Sequence, residues 1–237
     1  MSRSFDLIAH RGDSAHAPEN TLASIRGAIL QGASAVEVDV RRCSDGEWVV
    51  FHDPTLRRTA GSRGRLARTS SKALYRFDVG SWFSPVFAGE RIPTVEQVLD
   101  LCAGGRVRVF LDVKVSSGQK ELARLLRRPA WRDLVWVGAG TAESLKRWRS
   151  LLPERPLFWV TGYRAPVTAR RIAAARRIGL EGLLVYKRWA SRSSVERVHG
   201  AGMKLYVWTV KTVSDFKSMR ERGVDGIMSE LWPHPSI

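Results

Sequence analysis

Four short stretches carry polar side chains where a hydrophobic core would not hold them without a purpose: His10-Arg11-Gly12, Glu37-Val38-Asp39-Val40, His52-Asp53 and Asp112-Val113-Lys114. In an extended strand successive side chains point to opposite faces, so Glu37 and Asp39 share one face while Val36, Val38 and Val40 share the other. The same alternation sets Asp112 and Lys114 opposite Leu111, Val113 and Val115. Three carboxylates at the ends of adjacent strands repel one another in a low-dielectric pocket. A divalent hard cation removes that repulsion, and Mg²⁺ and Ca²⁺ both favour oxygen ligands. His10 and His52, approaching from separate segments, can serve as acid and base near neutral pH. Arg11 can hold phosphate oxygens in a bidentate fork and Lys114 as a point charge. With the metal as Lewis acid, this is the equipment of a phosphoryl-transfer site.

Each residue alone has a plainer reading. A single histidine is more often structural than catalytic, Glu37 and Asp39 can pair with Arg41 or Arg42, and Asp112 with Lys114 can be a buried ion pair. The plain account must hold on four strand ends at once, which weighs against it.

The elements that must position these groups follow from the hydrophobic pattern. Strand-like runs cover Phe5–Ala9, Ala35–Val40, Val107–Val113, Leu134–Val137, Leu157–Val160, Gly182–Val185, Leu205–Trp208 and Gly226–Met228. Helical patterns fill the intervals at Asn20–Leu30, Val95–Cys102, Gln119–Arg127, Ala142–Leu151, Pro166–Ile178, Ser194–His199 and Val213–Arg222. Gly32, Gly179, Gly202 and Gly223 punctuate the helix ends. Eight β runs separated by helices predict a (β/α)₈ TIM barrel of the α/β class, in which chemistry gathers at the C-terminal strand ends. No Gly-rich phosphate loop follows the first strand, which argues against an open doubly wound sheet. The interval from Arg41 to Ile92 is too long for a plain loop and contains a further strand candidate, Glu47–Phe51. It reads as an insertion after the second strand, over the top of the barrel.

The 237 residues, 44% of them apolar, suit one domain spanning the whole chain. Lys and Arg number 39 against 23 acids, a formal charge of +16. That excess favours an anionic partner: a phosphorylated small molecule, with a peripheral contact to an anionic membrane left open. The arginine clusters at 57–68 and 170–177 lack interleaved aromatics, so nucleic acid is not expected. Two cysteines, Cys43 and Cys102, make neither a disulfide framework nor a zinc site. No stretch approaches a membrane span and no signal peptide is evident, so a cytoplasmic location is expected. Trp82, Phe83 and Trp232 are aromatics that can engage a lipid tail if exposed.

At these residues the sequence resembles the glycerophosphodiester phosphodiesterase family. The resemblance runs nearly end to end: His10-Arg11-Gly12, Pro18-Glu19-Asn20-Thr21, Glu37-Val38-Asp39-Val40, Asp45-Gly46, His52-Asp53, Ile92-Pro93-Thr94, Asp112-Val113-Lys114, Trp208-Thr209-Val210 and Gly223-Val224-Asp225-Gly226-Ile227. It implies metal-dependent hydrolysis of glycerophosphodiesters to glycerol 3-phosphate and an alcohol, with His10 and His52 as the general acid/base pair. It further implies that Glu37, Asp39 and Asp112 hold Mg²⁺ or Ca²⁺, that Arg11 and Lys114 contact the substrate, and that Trp208 lines the pocket. Glu19 is expected to satisfy backbone amides at the start of the first helix, Asn20 to cap it, and Asp53 to orient its neighbourhood. The nucleophile is water or a glycerol hydroxyl of the substrate itself. Three positions depart from the family pattern: Asp112 replaces the usual Glu, Lys211 the usual Asn, and Ser229-Glu230 the usual Thr-Asp. The alternatives are cleavage of lysophospholipids in phospholipase D fashion and a non-catalytic phosphoester binder.

Overall fold

The computed structural model describes residues 5–230, so Trp232 lies outside the described residues. In chain order the elements are β1 (Asp6–His10), α1 (Leu22–Leu30), β2 (Ala35–Arg42), β3 (Trp48–Val50), α2 (Arg57–Ala60), α3 (Ser71–Leu74), α4 (Val95–Gly105), β4 (Arg108–Val113), α5 (Gln119–Leu126), β5 (Val135–Ala139), α6 (Ala142–Leu151), β6 (Leu157–Val160), α7 (Ala169–Ile178), β7 (Gly182–Tyr186), α8 (Arg192–Gly200), β8 (Lys204–Val210), α9 (Val213–Arg222) and β9 (Gly226–Ser229). Strands β1, β2 and β4 to β9 pair in parallel, and β1 closes the barrel by pairing with both β2 and β9. The fold is the expected TIM barrel. β3 lies outside the closed ring, antiparallel to the C-terminal end of β2, with Val40 opposite Val50 and Arg42 opposite Trp48.

The strands are apolar on both faces because each face has its own core. Outward residues such as Val36, Val38, Val40, Val109 and Leu111 pack with helix residues including Ile25, Val98 and Leu99. Inward residues form a second cluster with one member from each barrel strand: Ile8, Ala35, Phe110, Trp136, Phe158, Leu184, Tyr206 and Met228. Phe158 stacks on Tyr206 at 5.0 Å, and Trp136 packs against Phe158 at 5.6 Å. Below this layer the Tyr206 hydroxyl donates to Asp6 Oδ2 at 2.5 Å, and Arg108 donates to Asp6 Oδ1 at 2.5 Å while covering the Trp136 ring at 4.4 Å. The barrel is therefore filled through its middle and lower part, and room remains only at the C-terminal end.

Strands and helices match the sequence expectations to within a few residues, and the differences have local causes. α1 starts at Leu22, not Asn20, because Thr21 is the N-cap and forms a reciprocal capping box with Ser24. α7 starts at Ala169, three residues after Pro166, with the Thr168 side chain as cap. The segment between β2 and α4 folds around its own apolar cluster, with Leu56, Leu66, Leu74, Val79 and Ile92 packed on Cys43, Val49 and Phe51. Its one-turn helices α2 and α3 are too short to leave a periodic pattern. No described helix is long and apolar enough to cross a membrane.

Candidate functional site

The period of two along each strand carries the polar residues onto the layer above the inner core. His10 follows Ile8 by two, Glu37 and Asp39 follow Ala35 by two and four, Asp112 follows Phe110, Trp208 follows Tyr206, and Glu230 follows Met228. A cavity of about 530 Å³ opens there. His10, Arg11, Glu37, Asp39, His52, Asp112, Lys114 and Trp208 all line it, so every site residue expected from the sequence faces one space.

Glu37, Asp39 and Asp112 are buried, and each offers an oxygen within 4.8 Å of the others. The convergence is set by register, since Asp39 and Asp112 are directly opposed on β2 and β4 and His10 is opposed to Glu37 on β1. Lys114 Nζ lies 2.8 Å from Asp39 Oδ1 and also donates to Asp112 Oδ2. Arg11 Nε lies 3.1 Å from Asp39 Oδ2 as an ion pair without hydrogen-bond alignment, while Arg11 Nη1 donates to Glu19 Oε1 at 2.8 Å. The Arg11 amide donates to Glu37 Oε2 at 3.0 Å. Burial pushes the Glu37 carboxyl well up, and the charges of Asp39 and Asp112 push it further. Burial also raises Asp112, against the pull of Lys114. Burial would raise Asp39 as well, but Lys114 and Arg11 outweigh it and hold that carboxyl low. Burial opposes the Lys114 charge, yet the three carboxylates raise its pKa on balance.

The loop after β1 reaches this cluster by a tight reversal. Arg11, Gly12 and Asn20 all take positive φ, at 60°, 82° and 59°. A Cβ on Gly12 would stand 2.5 Å from Ser24 Oγ, so only glycine lets the loop lie on α1. Asn20 then donates from Nδ2 to Asp39 Oδ2 at 2.9 Å and accepts from the Asp39 amide at 3.1 Å. Asn20 is therefore a buried support of a carboxylate, not the helix cap. Glu19 likewise spends its oxygens on Arg11 and Arg58, not on free amides.

Each histidine is anchored through Nδ1. His10 Nδ1 lies 3.0 Å from Glu230 Oε1, and Lys211 Nζ lies 2.6 Å from Glu230 Oε2. Burial would raise the Glu230 carboxyl, but its bonds to His10 and Lys211 bring it down to about 2. Burial lowers the His10 pKa, partly offset by Glu230. His52 arrives from the segment after β3, with its Nδ1 2.6 Å from Asp53 Oδ1 and its carbonyl held by Arg41 Nε at 2.7 Å. Arg58 ties Asp53 Oδ2 at 2.7 Å to both oxygens of Glu19 at 2.6 and 2.8 Å. Arg41 and Arg42 bind backbone carbonyls, of His52 and Gly46, and the plain reading in which they neutralise Glu37 and Asp39 does not hold. The other plain reading, a buried Asp112–Lys114 pair, is present inside the cluster. Trp208 closes the cavity wall, with Nε1 on the Thr161 carbonyl at 3.1 Å and its ring edge-on to Tyr163 at 4.7 Å. Sequence reasoning did not place Glu230, Lys211 or Arg58 at the histidines. The one available signal was that Lys211 and Glu230 are opposite charges at two departures from the family pattern.

Three buried carboxylates, two of them held above their usual range by burial and mutual repulsion, are a donor set that fits a hard divalent cation. With a guanidinium, an ammonium and two carboxylate-anchored imidazoles beside them, they define a barrel equipped for phosphoester chemistry. Comparison with known proteins makes the class specific. The glycerophosphoryl diester phosphodiesterase family matches residues 10–230. The chain is 30% identical over 233 residues to a glycerophosphodiester phosphodiesterase of Caldanaerobacter subterraneus subsp. tengcongensis, covering 94% of this chain and 93% of the relative. Among solved structures it superposes on an Oleispira antarctica phosphodiesterase, in complex with the product sn-glycerol-3-phosphate, with a TM-score of 0.88 and 27% identity over 95% of this chain and 92% of the other. A glycerophosphodiester phosphodiesterase from Agrobacterium tumefaciens shares the fold, with a TM-score of 0.83 at 24% identity over 95% and 96% of the two chains. The chain belongs to the glycerophosphoryl diester phosphodiesterase family. It is an enzyme, a phosphoric diester hydrolase.

Proposed function

We propose that the protein hydrolyses small glycerophosphodiesters to glycerol 3-phosphate and an alcohol, dependent on Mg²⁺ or Ca²⁺ held by Glu37, Asp39 and Asp112. The observation that carries this reading is the single cavity onto which three carboxylates within 4.8 Å and two Nδ1-anchored histidines converge. A bound divalent cation supplies Lewis-acid neutralisation of the phosphodiester. Lys114, which shares its ammonium between Asp39 and Asp112, and Arg11, whose Nε has no aligned acceptor, supply the remaining positive charge for the phosphate oxygens. Trp208 walls the cavity beside them.

His10 and His52 divide the proton transfers by environment. Burial keeps His10 neutral near pH 7, and with its Nδ1–H given to Glu230 its Nε2 holds a free lone pair. His10 is the general base that takes the proton of the attacking hydroxyl. His52 is more open, and Asp53 at 2.6 Å stabilises its imidazolium. His52 is the general acid that protonates the departing alkoxide as the P–O bond to the alcohol breaks. The test is release of glycerol 3-phosphate from glycerophosphocholine and glycerophosphoethanolamine with Mg²⁺, with Ca²⁺ and with EDTA. Metal-dependent release that disappears in EDTA supports the proposal; equal release in EDTA, or none with either metal, refutes it.

A further inference from the structure

Opposite the charged end, the cavity wall is apolar in most places and carries the hydroxyls of Thr141, Ser144 and Thr161. Two of these are committed. Thr141 Oγ1 accepts from the Ser144 amide at 3.2 Å as the N-cap of α6, and Ser144 Oγ accepts from Gln119 Nε2 at 2.8 Å. Thr161 is different. Its residue is only 4% exposed, yet Oγ1 has no hydrogen-bond partner among the described residues. Its backbone is fixed on both sides, with its amide donating to the Leu184 carbonyl at 2.9 Å and its carbonyl accepting from Trp208 Nε1 at 3.1 Å. A rigid, buried, unpartnered hydroxyl beside Val160 and Leu184 is costly to leave unmade, and a ligand hydroxyl that bonds it recovers that cost.

We propose that Thr161 Oγ1 is a specificity determinant that bonds a hydroxyl on a polyol arm of the phosphodiester. The inference rests on the proposed phosphodiesterase reaction. The phosphate is held at the carboxylate, Arg11 and Lys114 end, and one ester arm extends along the Trp208 wall until its hydroxyl meets Thr161. The arm is either the glycerol that stays with the phosphate or the alcohol that leaves.

The test crosses an isosteric variant with substrates that differ in their hydroxyls. Thr161→Val keeps the shape and removes the hydroxyl, while Thr161→Ser restores it. Each is assayed on glycerophosphocholine, glycerophosphoinositol and propyl phosphocholine, which has no arm hydroxyl. Binding of glycerol 3-phosphate to each protein is measured separately by calorimetry. If Thr161 reads the glycerol arm, Thr161→Val loses about tenfold in kcat/KM on both glycerophosphodiesters and about tenfold in affinity for glycerol 3-phosphate. If it reads the leaving alcohol, the loss is confined to glycerophosphoinositol and the affinity for glycerol 3-phosphate is unchanged. In either case Thr161→Ser recovers most of the loss and propyl phosphocholine is unaffected. An effect within twofold on every substrate, or an equal loss on propyl phosphocholine, overturns the proposal. A wild-type protein that cleaves none of these esters refutes the proposed reaction, and calorimetry then decides on Thr161 alone: unchanged glycerol 3-phosphate binding in Thr161→Val, or none in the wild type, overturns this role too.

Discussion

Replacing Glu37 with Gln separates what the carboxylate cluster does for metal binding from what it does to the fold. Three carboxylates within 4.8 Å of one another are in direct contact with two cations, Lys114 and Arg11. At an effective dielectric near 20, each like-charge pair at that distance costs roughly 3–4 kcal/mol, and the two cations offset most of the total. A residual of about 1–2 kcal/mol is assigned to Glu37, which Gln removes. For a chain of this length that predicts a melting temperature about 2–8 °C higher than wild type in EDTA. The pH dependence has a definite sign. The Glu37 carboxyl is raised above its ordinary 4.5, so its favourable contribution is complete below that pH and is lost as pH rises through the raised value. Wild type therefore loses ground to Glu37→Gln between pH 5 and pH 8. Asp112, shifted the same way, keeps part of that slope in the variant. Adding Mg²⁺ or Ca²⁺ at about a hundredfold its Kd stabilises wild type by about 2.7 kcal/mol, or about 5–10 °C. The variant, short of a charged ligand, gains less than half of that. Scanning calorimetry with EDTA and with each metal reads both effects. A variant that melts below wild type in EDTA at pH 8, or that gains as much from metal, refutes the reasoning.

Other perturbations probe separate parts of the site. His10→Ala and His52→Ala are each expected to lower kcat by about 10²–10⁴ while leaving the melting temperature within a few degrees, measured by glycerol 3-phosphate release and calorimetry. Gly12→Ala puts a Cβ 2.5 Å from Ser24 Oγ at a φ of +82°, and should cost about 1–3 kcal/mol or more in urea unfolding. Glu230, held at about 2 against an ordinary 4.5, stabilises the fold above the latter pH and loses that contribution as pH falls toward the former. Glu230→Gln should therefore unfold more readily than wild type at pH 7 and match it near pH 2, as read from urea midpoints. Arg58→Met removes a half-exposed guanidinium, so stability should change by less than about 1 kcal/mol while kcat falls, because Asp53 and Glu19 lose their bridge.

How much was legible in the sequence follows from which interactions are local. The barrel was readable because each strand is buried on both faces and each helix has caps or glycines at its ends, and these are patterns within ten residues. The carboxylate cluster was readable for a related reason: Glu37, Asp39 and Asp112 sit on strands whose alternation fixes their facing, and parallel neighbours bring like positions together. The supports were not. Glu19 had a sound local role at a helix start, and Asn20 had one as a cap. Tertiary partners 19 to 39 residues away, Asp39 for Asn20 and Arg58 for Glu19, took their side chains instead. Glu230 reaches His10 across 220 residues, a pairing that only barrel closure creates.

The charged groups at the top of the barrel form one unbroken line: Asp112, Lys114, Asp39, Arg11, Glu19, Arg58, Asp53 and His52, each within 3.1 Å of the next. Signs alternate along it, so every cation is shared between two carboxylates and none is free to collapse onto one. The line begins on β4 and β2, crosses the loop after β1 and ends in the segment after β3, joining three stretches of chain that have no common element. Its side chains are also graded in exposure, from 1% at Asp39 to 41% at Arg58. Buried links are screened little and exposed links a good deal. The inner end therefore fixes the charge that a cation and a phosphate meet at any ionic strength, while the outer end, which places His52, is the part that salt can loosen. The segment bearing His52 is held to the barrel partly by this outer link, so the proton-transfer step should be more salt-sensitive than the binding of metal.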